Sequence, residues 1–87
     1  MAVRIECKAS VAKDLQKFDR ASATRVLAKI EKTLASGAMG AQALSGDFAG
    51  LYRLRVGDYR VIYARTDESY LVLRIGHRSD VYRKGRP

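Results

Sequence analysis

The sequence predicts an α+β fold: an N-terminal strand, an α-helical hairpin, then a three-stranded antiparallel meander, the strands forming one mostly antiparallel sheet packed on the helices. Three observations support this. Apolar and charged residues alternate near the N-terminus, apolar positions then recur at helical spacing up to Gly37, and three β-rich runs separated by short polar turns follow Gly50. At 87 residues the chain can close a single core, so residues 1–87 are read as one domain.

Val3, Ile5 and Cys7 alternate with Arg4, Glu6 and Lys8, the period-two pattern of a half-buried strand. Ser10 is placed to cap a helix in which Val11, Leu15 and Phe18 share one face and Lys13, Asp14 and Lys17 stay outside. A second helix is expected from about Asp19, its apolar stripe made by Ala23, Val26, Leu27, Ile30 and Leu34 and its end marked by Gly37. Ser36 to Gly50 reads as a long flexible connection with Met39, Leu44 and Phe48 as its only anchors. The three strand-like runs are Leu51 to Val56, Tyr59 to Arg65 and Tyr70 to Ile75, the last apolar on both faces as a central strand should be.

Composition narrows the functional classes. Lys and Arg number 17 against 9 Asp and Glu, a net charge of +8 that attracts polyanions, so nucleic acid is the first partner to test beside an acidic protein. Cys7 is the only cysteine, which excludes an internal disulfide, and one His with one Cys cannot build a typical structural zinc site. Neither a Gly-rich phosphate loop nor an apolar run of membrane-spanning length is present, so no metal, cofactor or membrane is expected. A charged N-terminus unlike a signal peptide and the lone thiol point to the cytoplasm.

The cations are unevenly distributed. Before Ser45 they are mostly lysines, whereas Arg53, Arg55, Arg60, Arg65, Arg74, Arg78, Arg83 and Arg86 dominate after it, and arginine's planar fork matches phosphate oxygens in pairs. With Gly57 and Asp58 as a two-residue hairpin loop, Val56 faces Tyr59, Arg55 faces Arg60, Leu54 faces Val61 and Arg53 faces Ile62. Tyr52, Leu54, Val56, Tyr59, Val61 and Tyr63 then share one face, leaving Arg53, Arg55 and Arg60 with Leu51, Ile62 and Ala64 on the other. Like charges directly opposite cost a few tenths of a kcal/mol to about 1 kcal/mol. That arrangement suits a phosphate-binding platform, although arginines on an exposed strand face also discourage sheet-to-sheet aggregation. His77, at the end of the third run, has the one side chain suited to proton transfer near neutral pH, and it lies beside Arg78 and close to Tyr82 and Arg83 in sequence; a surface or capping role is the alternative.

Two stretches carry a resemblance: Gly50-Leu51-Tyr52-Arg53-Leu54-Arg55-Val56-Gly57-Asp58-Tyr59-Arg60-Val61-Ile62-Tyr63, and Val72-Leu73-Arg74-Ile75-Gly76-His77-Arg78-Ser79-Asp80-Val81-Tyr82, with Ala43-Leu44-Ser45-Gly46 leading in. In motif and element order the chain resembles the RelE/ParE superfamily of bacterial and archaeal toxins. The resemblance implies a toxin of a type II toxin–antitoxin pair, neutralised by a cognate antitoxin. Its RelE-like branch implies a metal-independent, ribosome-dependent endoribonuclease that cuts mRNA in the ribosomal A site by 2′-OH attack; its ParE-like branch implies inhibition of DNA gyrase without nuclease activity. The RelE-like pattern has basic groups at positions matching Arg53, Arg55, Arg60 and Arg78 and a tyrosine near Tyr82, all retained here. It implies charge stabilisation by Arg60 and Arg78, RNA anchoring by Arg53 and Arg55, and orientation, proton transfer or base stacking by Tyr82; Arg83, next to Tyr82, is a further RNA-binding candidate. The best-known branch has lysines at the positions of Arg53 and Arg55. Arginine stays protonated and is a poor general base, and related toxins with a C-terminal His imply His77 as the proton carrier.

Overall fold

A computed structural model describes residues 4–38, 40–83 and 85–87. The chain runs β1 (Arg4–Cys7), α1 (Ala9–Gln16), α2 (Arg20–Ala35), β2 (Gln42–Ala43), a 3₁₀ turn (Gly46–Phe48), β3 (Tyr52–Val56), β4 (Tyr59–Arg65) and β5 (Ser69–His77). The strands form one sheet in the order β1-β5-β4-β3-β2, with β1 parallel to β5 and every other pair antiparallel. This is the expected α+β arrangement. Val3 of the expected first strand and the expected anchor Met39 lie outside the described residues, and within β1 Ile5 packs on the core.

The two helices stop and start for different reasons. Ser10 does not cap α1: the helix begins at Ala9, with Lys8 as an extended N-cap lacking a side-chain cap bond. Lys8 donates its N–H to the Val72 carbonyl at 2.8 Å, continuing the β1–β5 ladder, so the helix starts at the next residue and Ser10 falls inside its first turn. At α2 the Asp19 carboxylate accepts from Ser22 N–H at 3.1 Å. Hydrogen bonds from the Ser22 hydroxyl and backbone hold the Asp19 carboxyl below the ordinary carboxylate range. Two residues past the end of α2, Gly37 closes the helix with a φ of +90° that suits a residue without Cβ. Gly37 N–H donates to Leu34 O at 3.2 Å and Ala38 N–H to Thr33 O at 2.8 Å, the paired bonds of a Schellman motif.

The segment from Ser36 to Gly50 is more ordered than its composition suggests. Gln42 and Ala43 add a short edge strand opposite Arg53 and Tyr52, and the 3₁₀ turn presents Phe48 to the far side of the sheet. This covering is what alternation in the strands could not reveal.

The hairpin register is as expected, with Arg55 opposite Arg60 and Arg53 opposite Ile62. Leu54, Val56, Val61 and Tyr63 therefore face the helices and join Val11, Val26, Ile30, Leu34, Val72 and Ile75 in the main core. Burial raises the Tyr63 phenol above its ordinary value, with the nearby Tyr70 and Tyr52 phenols adding to the effect. A second, smaller cluster lies on the other face: Leu51, Ile62 and Val81 are buried, with Leu44, Phe48, Ala64, Leu73 and Tyr82 packed around them. Thus the face bearing the arginines is half covered by the 3₁₀ turn and by the chain after His77.

One irregularity decides which side chains reach that face. Ile62 pairs with Arg74 but Tyr63 pairs with Val72, so Leu73 is an extra residue in β5. Simple alternation from the core residue Val72 would send Arg74 into the core and Ile75 and His77 to the opposite face. The bulge reverses this: Ile75 is in the main core, Arg74 joins Leu73 on the far face, and His77 returns to the helix side. Among the described residues, no helix is long and apolar enough to cross a membrane.

Candidate functional site

The far face of the β3–β4 hairpin has an apolar part and a cationic part. Arg55 is exposed at the hairpin end. Its partner Arg60 is only 8 % exposed and donates Nη1 to the carbonyls of Gly57 and Tyr59, both at 3.0 Å. Arg60 in turn pairs with Gly76 on β5, which places the start of the following turn beside it. There Arg78 N–H donates to Asp58 O at 2.9 Å, tying the exposed Arg78 to the hairpin loop. Arg55, Arg60 and Arg78 are thereby brought to one end of the sheet. The two ion pairs among the described residues, Arg4 with Glu6 and Arg83 with Asp80, involve none of the three.

Arg53 is less free than its position suggests. It is half-buried, donates Nη1 to the Tyr82 hydroxyl at 3.2 Å and donates Nη2 to Gln42 Oε1. Its Nε is buried without a hydrogen-bond partner. Tyr82 rests edge-on against Phe48, with ring centroids 5.4 Å apart. A hydroxyl that accepts from Arg53 keeps its own hydrogen to donate elsewhere. Exposed Arg83 pairs with Asp80 at 3.6 Å, a contact that solvent screens.

His77 stands apart from this group. Its ring meets Tyr59 edge-on at 6.3 Å, on the helix side of the sheet, while Tyr82 lies on the opposite side. Nδ1 of His77 is 3.0 Å from Ser79 Oγ. The imidazole lines a cleft of about 520 Å³ shared with Asp14, Lys17 and Phe18 on the helix side and with Arg74, Asp80 and Arg83 toward the final turn. Asp14, which sequence reasoning placed on an outer helix face, accepts the Ile75 N–H at 3.1 Å. Gln42 and Arg74 were also missed as site neighbours. Gln42 sits in a segment without periodicity, and Arg74 reaches its place only through the bulge.

Residues 5–82 match the family described as ParE toxin of type II toxin–antitoxin system, parDE. The chain belongs to this toxin family. The toxin is similar in structure to the RelBE2 toxin–antitoxin complex from Mycobacterium tuberculosis, with TM-score 0.81 and 24% identity over 92% of this chain and 95% of that one. It is also similar to the archaeal RelE–RelB complex from Pyrococcus horikoshii OT3, with TM-score 0.73 and 29% identity over 93% of this chain and 100% of that one. YafQ from Escherichia coli shares the fold, with TM-score 0.70 and 18% identity over 88% of the toxin and 94% of YafQ. No protein of curated function matches the toxin.

Proposed function

We propose that this toxin is a ribosome-dependent endoribonuclease that cuts mRNA in the ribosomal A site and is held inactive by a cognate antitoxin. The observation that carries the proposal is the cationic end of the sheet: Arg55 directly opposite Arg60, with Arg78 fixed beside them by Asp58 O. Like charge on a strand pair, only partly offset by the carbonyls that Arg60 reaches, lowers stability, and a bound phosphodiester supplies an anion. The similarity to RelE–RelB and RelBE2 complexes supports the antitoxin as partner.

In this scheme the 2′-OH of the substrate attacks the adjacent phosphorus, the P–O5′ bond breaks, and the 2′-OH proton leaves to water. Arg60 and Arg78 stabilise charge growing on the phosphate oxygens, and Arg55 and Arg83 hold flanking phosphates. Tyr82, with its lone pair engaged by Arg53, donates its proton to the departing 5′-oxygen and regains one from the water that took the 2′-OH proton. Arg53 thus serves the tyrosine as well as the RNA. His77, on the other side of the sheet, carries no proton in this scheme.

The test is primer extension on a defined mRNA in a purified translation system, with and without ribosomes, using the wild type and Arg78→Ala and Tyr82→Phe variants. Ribosome-dependent cuts that both variants lose support the nuclease. The family match to ParE toxin favours a second reading, inhibition of DNA gyrase. An absence of cuts together with inhibited supercoiling would replace the first reading with the second.

A further inference from the structure

Resting on the nuclease reading, we propose that Arg74 is a positioning residue for Tyr82, acting through the backbone on either side of it. The bulge at Leu73 turns Arg74 onto the face that carries Tyr82. From there its Nη1 donates to Val81 O at 2.7 Å and to Gly85 O at 2.8 Å. Both hydrogens of that nitrogen are used, and the two carbonyls bracket Tyr82 in the chain.

Arg78 N–H holds the start of the turn to Asp58 O, and the other backbone restraints among the described residues are local. Asp80 and Val81 N–H share the His77 carbonyl at 2.8 and 3.0 Å, Arg83 N–H donates to Asp80 O at 3.1 Å, and Gly85 N–H donates to Tyr82 O at 3.2 Å. All of these lie within the last strand residue and the turn itself. Farther along, Arg86 Nη1 donates to Ala49 O at 2.8 Å and to Asp47 O at 3.2 Å, which secures the tail to the 3₁₀ turn. Arg74 fastens the backbone in the middle of the turn to the rigid sheet, while Arg53 holds the Tyr82 hydroxyl. A charged, planar donor on a strand fixes the height and rotation of the Val81–Tyr82 peptide, and so the reach of the phenol toward Arg53 and the phosphate site. Without it, Val81 still packs against Ile62, but its carbonyl loses its partner on the sheet.

The experiment replaces the five tyrosines biosynthetically with 3-fluorotyrosine and reads the ¹⁹F resonances of the wild type, Arg74→Gln and Arg74→Lys. The Tyr82 signal is assigned by its loss in Tyr82→Phe, and the buried Tyr63 signal reports an intact core. The expected result is that Tyr82 shifts and sharpens in Arg74→Gln while Tyr63 stays in place. In parallel, single-turnover cleavage on programmed ribosomes is expected to fall roughly tenfold to a hundredfold with apparent ribosome affinity little changed. Arg74→Gln should add little to Tyr82→Phe, because both changes act on one element. An unmoved Tyr82 resonance in a folded variant, or a shifted resonance with full cleavage rate, overturns the proposal. Arg74→Lys provides the comparison should Arg74→Gln fail to fold: it keeps the charge but loses the planar fork, and a Tyr82 signal identical to wild type would also overturn it. Wild-type protein that does not cut, while Tyr82 still responds to Arg74→Gln, overturns the nuclease reading and leaves the positioning role standing.

Discussion

Arg55 and Arg60 face each other across the β3–β4 ladder, yet only Arg60 is turned back onto backbone oxygen. Gly57 O and Tyr59 O partly offset the charge that Arg60 brings to the sheet, whereas Arg55 remains in solvent with its full charge. The same pair therefore holds one arginine braced by backbone oxygen and one left free in solvent.

The two should respond in opposite directions to neutral substitution. Arg55→Gln removes the cross-strand repulsion and is expected to raise unfolding free energy by a few tenths to about 1 kcal/mol. It should also weaken RNA binding and reduce the salt slope by about one phosphate contact. Arg60→Met leaves two carbonyls without their donor and is expected to destabilise by about 1–3 kcal/mol. Urea titrations paired with RNA binding at several salt concentrations check both. A loss of stability in Arg55→Gln would show that the like-charge pair is compensated in the free toxin.

His77 and Tyr82 are close in sequence, yet His77 meets Tyr59 on the helix side while Tyr82 packs on Phe48 in the second cluster. His77→Ala is expected to leave ribosome-dependent cleavage within a few-fold of wild type, while Tyr82→Phe lowers it by about 10²–10⁴, the usual span for a positioned proton donor. Single-turnover rates on programmed ribosomes make the comparison. A large loss in His77→Ala would place the imidazole in the reaction and require the RNA to pass around the end of β5.

The second apolar cluster makes its own prediction. Ile62 is fully buried on the face opposite the helices, against Val81 and Leu51. Ile62→Ala should cost about 2–5 kcal/mol, as in a primary core, because the covering turns can collapse onto the vacancy only in part. An exposed-face isoleucine would cost far less. Chemical denaturation of Ile62→Ala beside Val61→Ala, which opens the main core, distinguishes a covered face from an open one.

The hairpin was legible because Gly57-Asp58 and period-two alternation together leave one register that buries Leu54, Val56 and Val61. The long helix was legible from its apolar stripe and from Gly37. The side on which His77 lies was not. An extra residue in a strand reverses the facing of everything after it, and Val72-Leu73-Arg74-Ile75 contains no glycine or proline to mark where the insertion falls. The covering of Ile62 and the engagement of Arg53 were hidden for a different reason. Both depend on turns that fold back across the sheet, and such contacts leave no periodic trace in their own sequence. Charge pattern thus identified a shared arginine face, while packing determined how much of it remained open.

The α2 cap gives a stability change with a definite sign in pH. Asp19 accepts from Ser22, and its folded-state pKa is lowered below the unfolded-chain value of about 3.9. A lowered carboxylate pKa contributes stability that is present above the unfolded value and is lost as pH falls through the folded value. Wild-type stability should therefore decline through this acid window in part because the cap is protonated. Asp19→Ala removes both the acceptor and the charge at the helix N-terminus, so it should be less stable than wild type near neutral pH. Its acid decline should be shallower, and the two stability curves should converge once the wild-type Asp19 is protonated. Urea midpoints from neutral pH down through the carboxylate range test this, and a constant gap between the curves at every pH would show that the cap acts through its geometry without its charge.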